Sequence, residues 1–194
     1  MPVKRFSTRG AARILELFET RTPDDERADA IVPPTVPDPD ADPTLPLEVA
    51  FQDPTAEQWY ALACELEGTS PLEAQHAYHK ALAIDPDMAE AHVDLGRHYH
   101  SAGELGKAEA HYRDAVRLAP GDAIAHFNLG VLLEDRGRPD EAVHAYEQAI
   151  SRDAEQADAH HNLGLLLEAR GRRPEAMRHL MEARRLYAEA SGDR

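Results

Sequence analysis

Apolar residues recur three and four positions apart from about residue 56 to the end of the chain. In residues 126–150, Leu129, Leu132 and Leu133 fall on one helical face, and Ala142, Tyr146, Ala149 and Ile150 fall on another. This is the spacing of amphipathic helices that each bury one stripe. Gly137 and Pro139 separate the two stripes; a glycine suits a left-handed helix end and a proline suits a first helical turn. The same alternation predicts eight helices, near residues 56–67, 71–84, 89–102, 105–118, 123–136, 139–152, 157–170 and 173–188.

Shifting the chain on itself by 34 positions shows why the pattern is so regular. The segments "AHVDLGRHYHSAGELGKAEAHYRDAVRLAP" from Ala91, "AHFNLGVLLEDRGRPDEAVHAYEQAISRDA" from Ala125 and "AHHNLGLLLEARGRRPEAMRHLMEARRLYA" from Ala159 align without a gap. A fourth copy, "EQWYALACELEGTSPLEAQHAYHKALAIDP" from Glu57, is one residue short, near Thr69. A period of this length means a stack of identical helical hairpins, because no hairpin can bury its apolar face alone. Gly130 sits mid-helix, where glycine costs about 1 kcal/mol relative to alanine. Its counterparts are Ala63, Gly96 and Gly164, and each has a small residue twelve positions on (eleven in the short copy): Ala74, Ala108, Ala142 and Ala176. The expectation is a close approach of the two helix backbones within each hairpin.

These residues resemble the tetratricopeptide repeat. That pattern has Leu-Gly at its seventh and eighth positions, Ala at the twentieth and twenty-seventh, an aromatic at the twenty-fourth and Pro at the thirty-second. The repeat spanning 123–156 matches with Leu129, Gly130, Ala142, Tyr146 and Ala149. The repeat 89–122 matches with Leu95, Gly96, Ala108, Tyr112, Ala115 and Pro120. The repeat 56–88 supplies Trp59, Leu62, Ala63, Ala74, Tyr78, Ala81 and Pro86, and 157–190 supplies Leu163, Gly164, Ala176 and Ala183 with Leu180 in place of the aromatic. His92, His126 and His160 depart from the aromatic fourth position, and Ala154 from the proline. The resemblance implies an all-α fold, an α-solenoid of four helix-turn-helix units in a right-handed superhelix over residues 55–190, followed by a short tail, 191–194.

It also implies that the first helix of each unit lines a concave groove that binds a protein or peptide segment. At the groove-facing positions this chain has Tyr60, Glu90, Asp94, Arg97, Phe127, Asn128, Val131, Glu134, Asp158, His161, Asn162 and Leu165. Asn128 and Asn162 stand where some members hold a bound peptide backbone, and an amide offers both donors and an acceptor for that. The lysines and arginines with which chaperone-tail-binding members clamp a carboxylate are missing. The groove is mostly acidic, with Arg97 its one permanent cation, so the implied partner segment is basic or amphipathic.

Charge and composition sharpen this picture. The chain has 194 residues, 29% of them charged, and a formal net charge of −15. That disfavours nucleic acid as a partner, since such binders carry a basic footprint. Residues 21–54 hold eight of the fourteen prolines and nine acids against two arginines; they read as an acidic, proline-rich linker, disordered or extended. One cysteine, Cys64, leaves no internal disulfide framework, and no apolar run approaches the ~20 residues of a membrane span. A soluble cytoplasmic protein is the expectation. The eleven histidines invite a metal reading, but His92, His126 and His160 recur one repeat apart. Equivalent helices at about 8–10 Å keep such residues from sharing a zinc with Zn–N bonds of about 2.0–2.1 Å. No phosphate-binding loop, nucleophile elbow or paired carboxylates occur. Neither an enzyme, a metal nor a cofactor is expected.

The first 20 residues carry a second, partial resemblance. "RFSTRGAARILEL" is similar to the first helix of MerR-like DNA-binding domains. The groove-reading helix that should follow is replaced by the acidic, proline-rich stretch, so the helix-turn-helix is incomplete. Residues 1–20 read as a basic amphipathic helix. Two functions follow: an adaptor binding a partner in the groove, or a relative of a MerR-type transcription regulator that has kept only its repeat half. The last helix carries Met177, Leu180, Met181 and Tyr187 with only "SGDR" after it, and self-association through this uncapped end, as a homodimer, is the expectation there.

Overall fold

The computed structural model describes residues 53–192. They form eight α-helices: α1 (Ala56–Leu66), α2 (Pro71–Ile84), α3 (Ala89–Ser101), α4 (Leu105–Leu118), α5 (Ala123–Asp135), α6 (Pro139–Arg152), α7 (Ala157–Ala169) and α8 (Arg173–Ala190). The ends agree with the sequence expectation to within two residues. The expected N-terminal helix 1–20, almost all of the linker 21–54 and the last two residues of the tail lie outside the described residues.

Local chemistry sets the boundaries. Thr55 and Gln58 form a reciprocal cap on α1: the Thr55 hydroxyl accepts from the Gln58 backbone N–H at 3.4 Å, and the Gln58 side-chain Oε1 accepts from the Thr55 backbone N–H at 2.9 Å. Such boxes satisfy two otherwise orphaned donors. Asp122 caps α5 through the Ile124 amide at 2.8 Å. Gly103, Gly137 and Gly171 adopt φ of +76°, +67° and +75°. The amide after each reaches back five residues: Glu104 to the Tyr99 carbonyl, Arg138 to Leu133 and Arg172 to Leu167, at 2.8, 2.8 and 2.9 Å. This 6→1 bond satisfies the last carbonyls of a first helix and reverses the chain in three residues.

Each first helix packs on the second helix of its own repeat, and each second helix packs on the first helix of the next. The stacking yields a continuous core. One cluster runs from Trp59 through Leu62, Tyr78, Leu95 and Tyr112 to Leu132, and another from Leu133 through Tyr146 and Leu163 to Ala176. Leu129 packs against both clusters but is only half-buried, whereas the equivalent Leu62, Leu95 and Leu163 are buried. It lies where the clusters meet and is enclosed by neither. Leu132, fully buried, is the deeper residue of α5.

The structure also adds a side-chain cause for the mid-helix glycines. A Cβ on Gly130 would stand 2.6 Å from Cε1 of Tyr146, and one on Gly96 would stand 2.4 Å from Cε1 of Tyr112. At Gly164 the obstacle is the Leu180 side chain at 2.7 Å, with the Ala176 carbonyl further off at 3.3 Å. The space left by the missing side chain is therefore filled by the large residue at the twenty-fourth repeat position. At Gly164 the backbone of the paired small residue Ala176 comes near as well, beside the side-chain contact.

An ionic knot ties the second repeat to the third. Glu109 on α4 is buried, yet Arg113 lies 2.6 Å away on its own helix, and Arg138 at 2.6 Å and Arg136 reach it from the turn after α5. Arg138 grips Glu141 as well, through two bonds of 2.7 and 2.6 Å. A buried carboxylate needs this many partners to offset its desolvation.

The fourth-position histidines are buried and use the repeat junction. His92 Nε2 donates to the Pro86 carbonyl at 3.1 Å, and His126 Nε2 to the Pro120 carbonyl at 3.2 Å. At the third junction Ala154 replaces the proline, and His160 Nε2 has no partner. Asp153, just before it, is extended, with φ −138° and ψ 100°, the conformation a following proline requires. Ala154→Pro is therefore expected to raise stability by about 0.4–1 kcal/mol through the unfolded chain. Urea denaturation checks it, and an unchanged or lower midpoint would show that this junction differs from the other two.

Candidate functional site: the row of first helices

Helices α1, α3, α5 and α7 stand side by side, and polar side chains bridge from one to the next. Tyr60 on α1 donates to Asp94 on α3 at 3.0 Å. Arg97 on α3 binds Asp94 at 2.7 Å and reaches Glu67, just beyond α1, at 2.8 Å. His100 on α3 meets Asp135 on α5 at 2.7 Å. Tyr60, Asp94 and Arg97 thus form one closed network rather than three free contacts. Burial, then the Asp94 carboxylate, pushes the Tyr60 phenol far above its ordinary range. The one permanent cation of the row is consumed by two carboxylates.

The second half of the row is different. Phe127 on α5 is half-buried, its ring 5.8 Å from that of Tyr146. Val131 is half-buried, Leu165 is 47% exposed, and Ile124 is 57% exposed. Asn128 makes no side-chain hydrogen bond among the described residues and is half-buried. Asn162 donates to the Tyr146 hydroxyl at 3.3 Å, and that hydroxyl donates to Glu134 at 3.0 Å. Burial first, and Glu134 among the other causes, raises the Tyr146 phenol, so it stays a neutral donor. Asn162 therefore has one amide hydrogen committed and its carbonyl left for another donor. Asp158 accepts from Tyr187 at 2.5 Å, and the Tyr187 ring lies edge-on to His161 at 6.4 Å. Glu90 is exposed and forms no ion pair among the described residues.

Of the twelve sequence-predicted residues, the structure brings Tyr60, Asp94 and Arg97 into direct contact, and links Glu134 to Asn162 through Tyr146. It leaves Phe127, Asn128, Val131 and Leu165 as the accessible apolar and amide surface. Sequence reasoning missed the hydroxyls of Tyr78 and Tyr146, which it assigned to packing alone. Tyr78 donates to Glu67 at 2.7 Å. The available signal was a tyrosine, rather than phenylalanine, at the twenty-fourth position of three repeats, because a buried phenol needs a partner.

Among the described residues no group of three or more His, Cys, Asp or Glu side chains is placed to hold a metal ion. No helix there is long and apolar enough to cross a membrane.

Comparison with known proteins agrees with this architecture. A tetratricopeptide-repeat family model matches residues 87–155, and a second one matches residues 127–192. The fold is similar to the crystal structure of MamA, with 26% identity, a TM-score of 0.65, and 71% of this chain and 81% of that chain covered. It is similar to MamA 41-end from Desulfovibrio magneticus RS-1, at 22% identity and TM-score 0.62, over 72% of this chain and 78% of that one. It is also similar to pilF of Pseudomonas aeruginosa, at 21% identity and TM-score 0.64, over 68% of this chain and 60% of that one. At those two identities the likeness speaks to fold alone. No curated protein matches the chain. The 34-residue period, the eight paired helices and the two family matches together place this chain in the tetratricopeptide-repeat family, as an all-helical solenoid with the role of a protein-interaction scaffold.

Proposed function

We propose that the scaffold binds a basic or amphipathic segment of a partner protein along α5 and α7, in the groove that the first helices line. The observation that supports this most is an asymmetry of the row. In its first half the polar groups satisfy one another, as Tyr60, Asp94, Arg97 and Glu67 do. In its second half Ile124, Phe127, Val131 and Leu165 leave apolar surface accessible beside the Asn128 amide. Adjacent apolar surface rimmed by polar residues is what an interaction site needs. The amide supplies sequence-independent contacts to a peptide backbone. Glu90 on α3 and Asp158 and Glu168 on α7, all exposed, add negative charge to the row, which selects against acidic segments and speeds the approach of basic ones. The role is binding, without chemistry on the bound segment.

A defined library of 15-residue peptides, graded in charge and amphipathicity, tests this on the full chain. Enrichment of basic amphipathic sequences is expected. Phe127→Ala combined with Leu165→Ala is expected to weaken the best of them at least tenfold, and Asn128→Ala about fivefold, the value of one hydrogen bond. Enrichment indifferent to charge would remove the basic-partner reading. Enrichment untouched by all three substitutions would remove the groove.

A further inference from the structure

Helix α8 presents an exposed apolar face edged by arginines on this acidic molecule. Met177 is 60% exposed and Met181 is 65% exposed. One repeat earlier, at the position of Met177, Val143 is only 5% exposed, because α7 covers that side of α6. Arg173, Arg178 and Arg184 are exposed around the two methionines and form no ion pair among the described residues. Their helix neighbour Arg185, by contrast, is held by Glu182 and Glu189. The face is therefore apolar at its centre and cationic at its edges, on a chain whose net charge is −15.

Charge decides what fits there. A second copy of α8 laid against this face sets arginines against arginines. A basic segment fares no better. The matching chemistry is an apolar strip flanked by carboxylates, and the chain contains one. Residues 22–43 carry seven acids against Arg27 alone, and between the acids runs Ala30-Ile31-Val32-Pro33-Pro34-Thr35-Val36-Pro37. Pro-rich sequence loses little entropy on binding in an extended form, and methionines adapt to irregular partners. Reach is sufficient. The 17 residues from Val36 to Asp53 span up to ~50 Å at ~3.1 Å each. The array is on the order of 40 Å long, since its neighbouring axes lie about 8–10 Å apart and alternate between two rows.

We propose that residues 22–43 of the same chain seat on the Met177/Met181 face of α8, with Ile31–Val36 over the methionines and the flanking acids on Arg173, Arg178 and Arg184. Tethering supports even a weak contact of this kind, because the local concentration is in the millimolar range. The proposal is independent of the α5–α7 groove, since it involves neither its residues nor its partner.

The test uses the full chain at low micromolar concentration. Two variants are compared with the wild type: Met177→Glu with Met181→Glu, and Arg173→Glu with Arg184→Glu. All four side chains are exposed, and melting temperature checks that the fold survives. The rate of trypsin cleavage after Arg27, with hydrogen exchange along α8, reads the contact. Cleavage is expected to be at least fivefold faster in both variants than in the wild type, α8 exchange is expected to rise, and light scattering is expected to give a monomer throughout. In the wild type, 1 M salt is expected to accelerate cleavage as the charge contacts are screened. Equal cleavage rates in wild type and both variants would overturn the proposal. So would protection that grows with protein concentration together with a dimeric mass, which would make a second copy the occupant.

Discussion

Gly130→Leu is expected to cost at least ~3 kcal/mol, at or above the upper end of the usual range for overpacking. Even a methyl group there would stand 2.6, 2.7 and 3.2 Å from three carbons of the Tyr146 ring. The ring cannot move aside. It is fully buried, Phe127 packs beside it, and its hydroxyl is held between Glu134 and Asn162. Ala63 in the first repeat shows what relief would require. There a side chain coexists with Tyr78, but across a turn one residue shorter, with the Tyr78 hydroxyl drawn to Glu67 at 2.7 Å and lying 3.6 Å from Cys64 Sγ. Gly130→Ala is expected to be intermediate. Leu132→Ala, which empties a fully buried site, is expected to cost about 2–5 kcal/mol, and Leu129→Ala less, because Leu129 is half-buried. Denaturant midpoints of the four variants give the order. A Gly130→Leu midpoint equal to wild type would dispose of the ring-contact explanation.

The contrast between helix positions and contacts explains what the sequence could reveal. Every described helix was legible because two local rules agreed: apolar residues at helical spacing, and glycine or proline at the breaks. The 34-residue period then fixed which helices pair. What stayed hidden are contacts between side chains whose separation carries no pattern. Tyr60 meets Asp94, and Glu109 meets Arg136 and Arg138, but nothing in those residue types names the partner. The groove looked mostly acidic for the same reason: a carboxylate held by Arg97 and one open to solvent are identical letters. The glycine at the eighth position was legible as a close approach. The approaching group was not, because it lies sixteen residues on, while the small residue twelve on drew attention to itself.

Acidification is expected to destabilise the array well before its carboxylates are protonated. The cause is two histidine pairs that recur in alternate repeats. His92 Nδ1 lies 3.1 Å from His111 Nδ1, and His160 Nδ1 lies 3.0 Å from His179 Nδ1. Since His92 Nε2 must donate to the Pro86 carbonyl, neutral His92 presents a bare Nδ1, and His111 supplies the hydrogen between the rings. A proton on each ring would set two N–H groups against each other. Burial, then His92 and His79, lowers His111 from 6.5 to about 4, against a small opposing effect of Asp114. Burial, then His160 and Arg178, also lowers His179, with Glu147 and Glu175 opposing. His79, bonded to Tyr99 at 2.8 Å, is lowered by burial, His76 and Lys107.

The sign follows from which state holds more protons. Between about pH 6.5 and pH 4 the unfolded chain binds a proton at His111 that the folded chain does not, and the lowering of His79 and His179 acts in the same direction. Stability is therefore complete above about pH 6.5 and declines as pH falls through that window. Discounted for partial solvent access, His111 alone contributes about 1–2 kcal/mol of the loss between pH 7 and pH 4. The carboxylates held low, such as Glu141 and Glu175, lose their contribution only below about pH 4.5, so the interval from pH 7 to pH 5 isolates the histidines. The first and third repeats supply the control substitution, because Ala77 and Ala145 occupy the position of His111 and His179 and are buried there. Combining His111→Ala with His179→Ala is expected to flatten the pH dependence of the denaturation midpoint over this interval by at least half. An unaltered slope in that double variant would place the acid sensitivity elsewhere, and the paired rings would then be packing groups only.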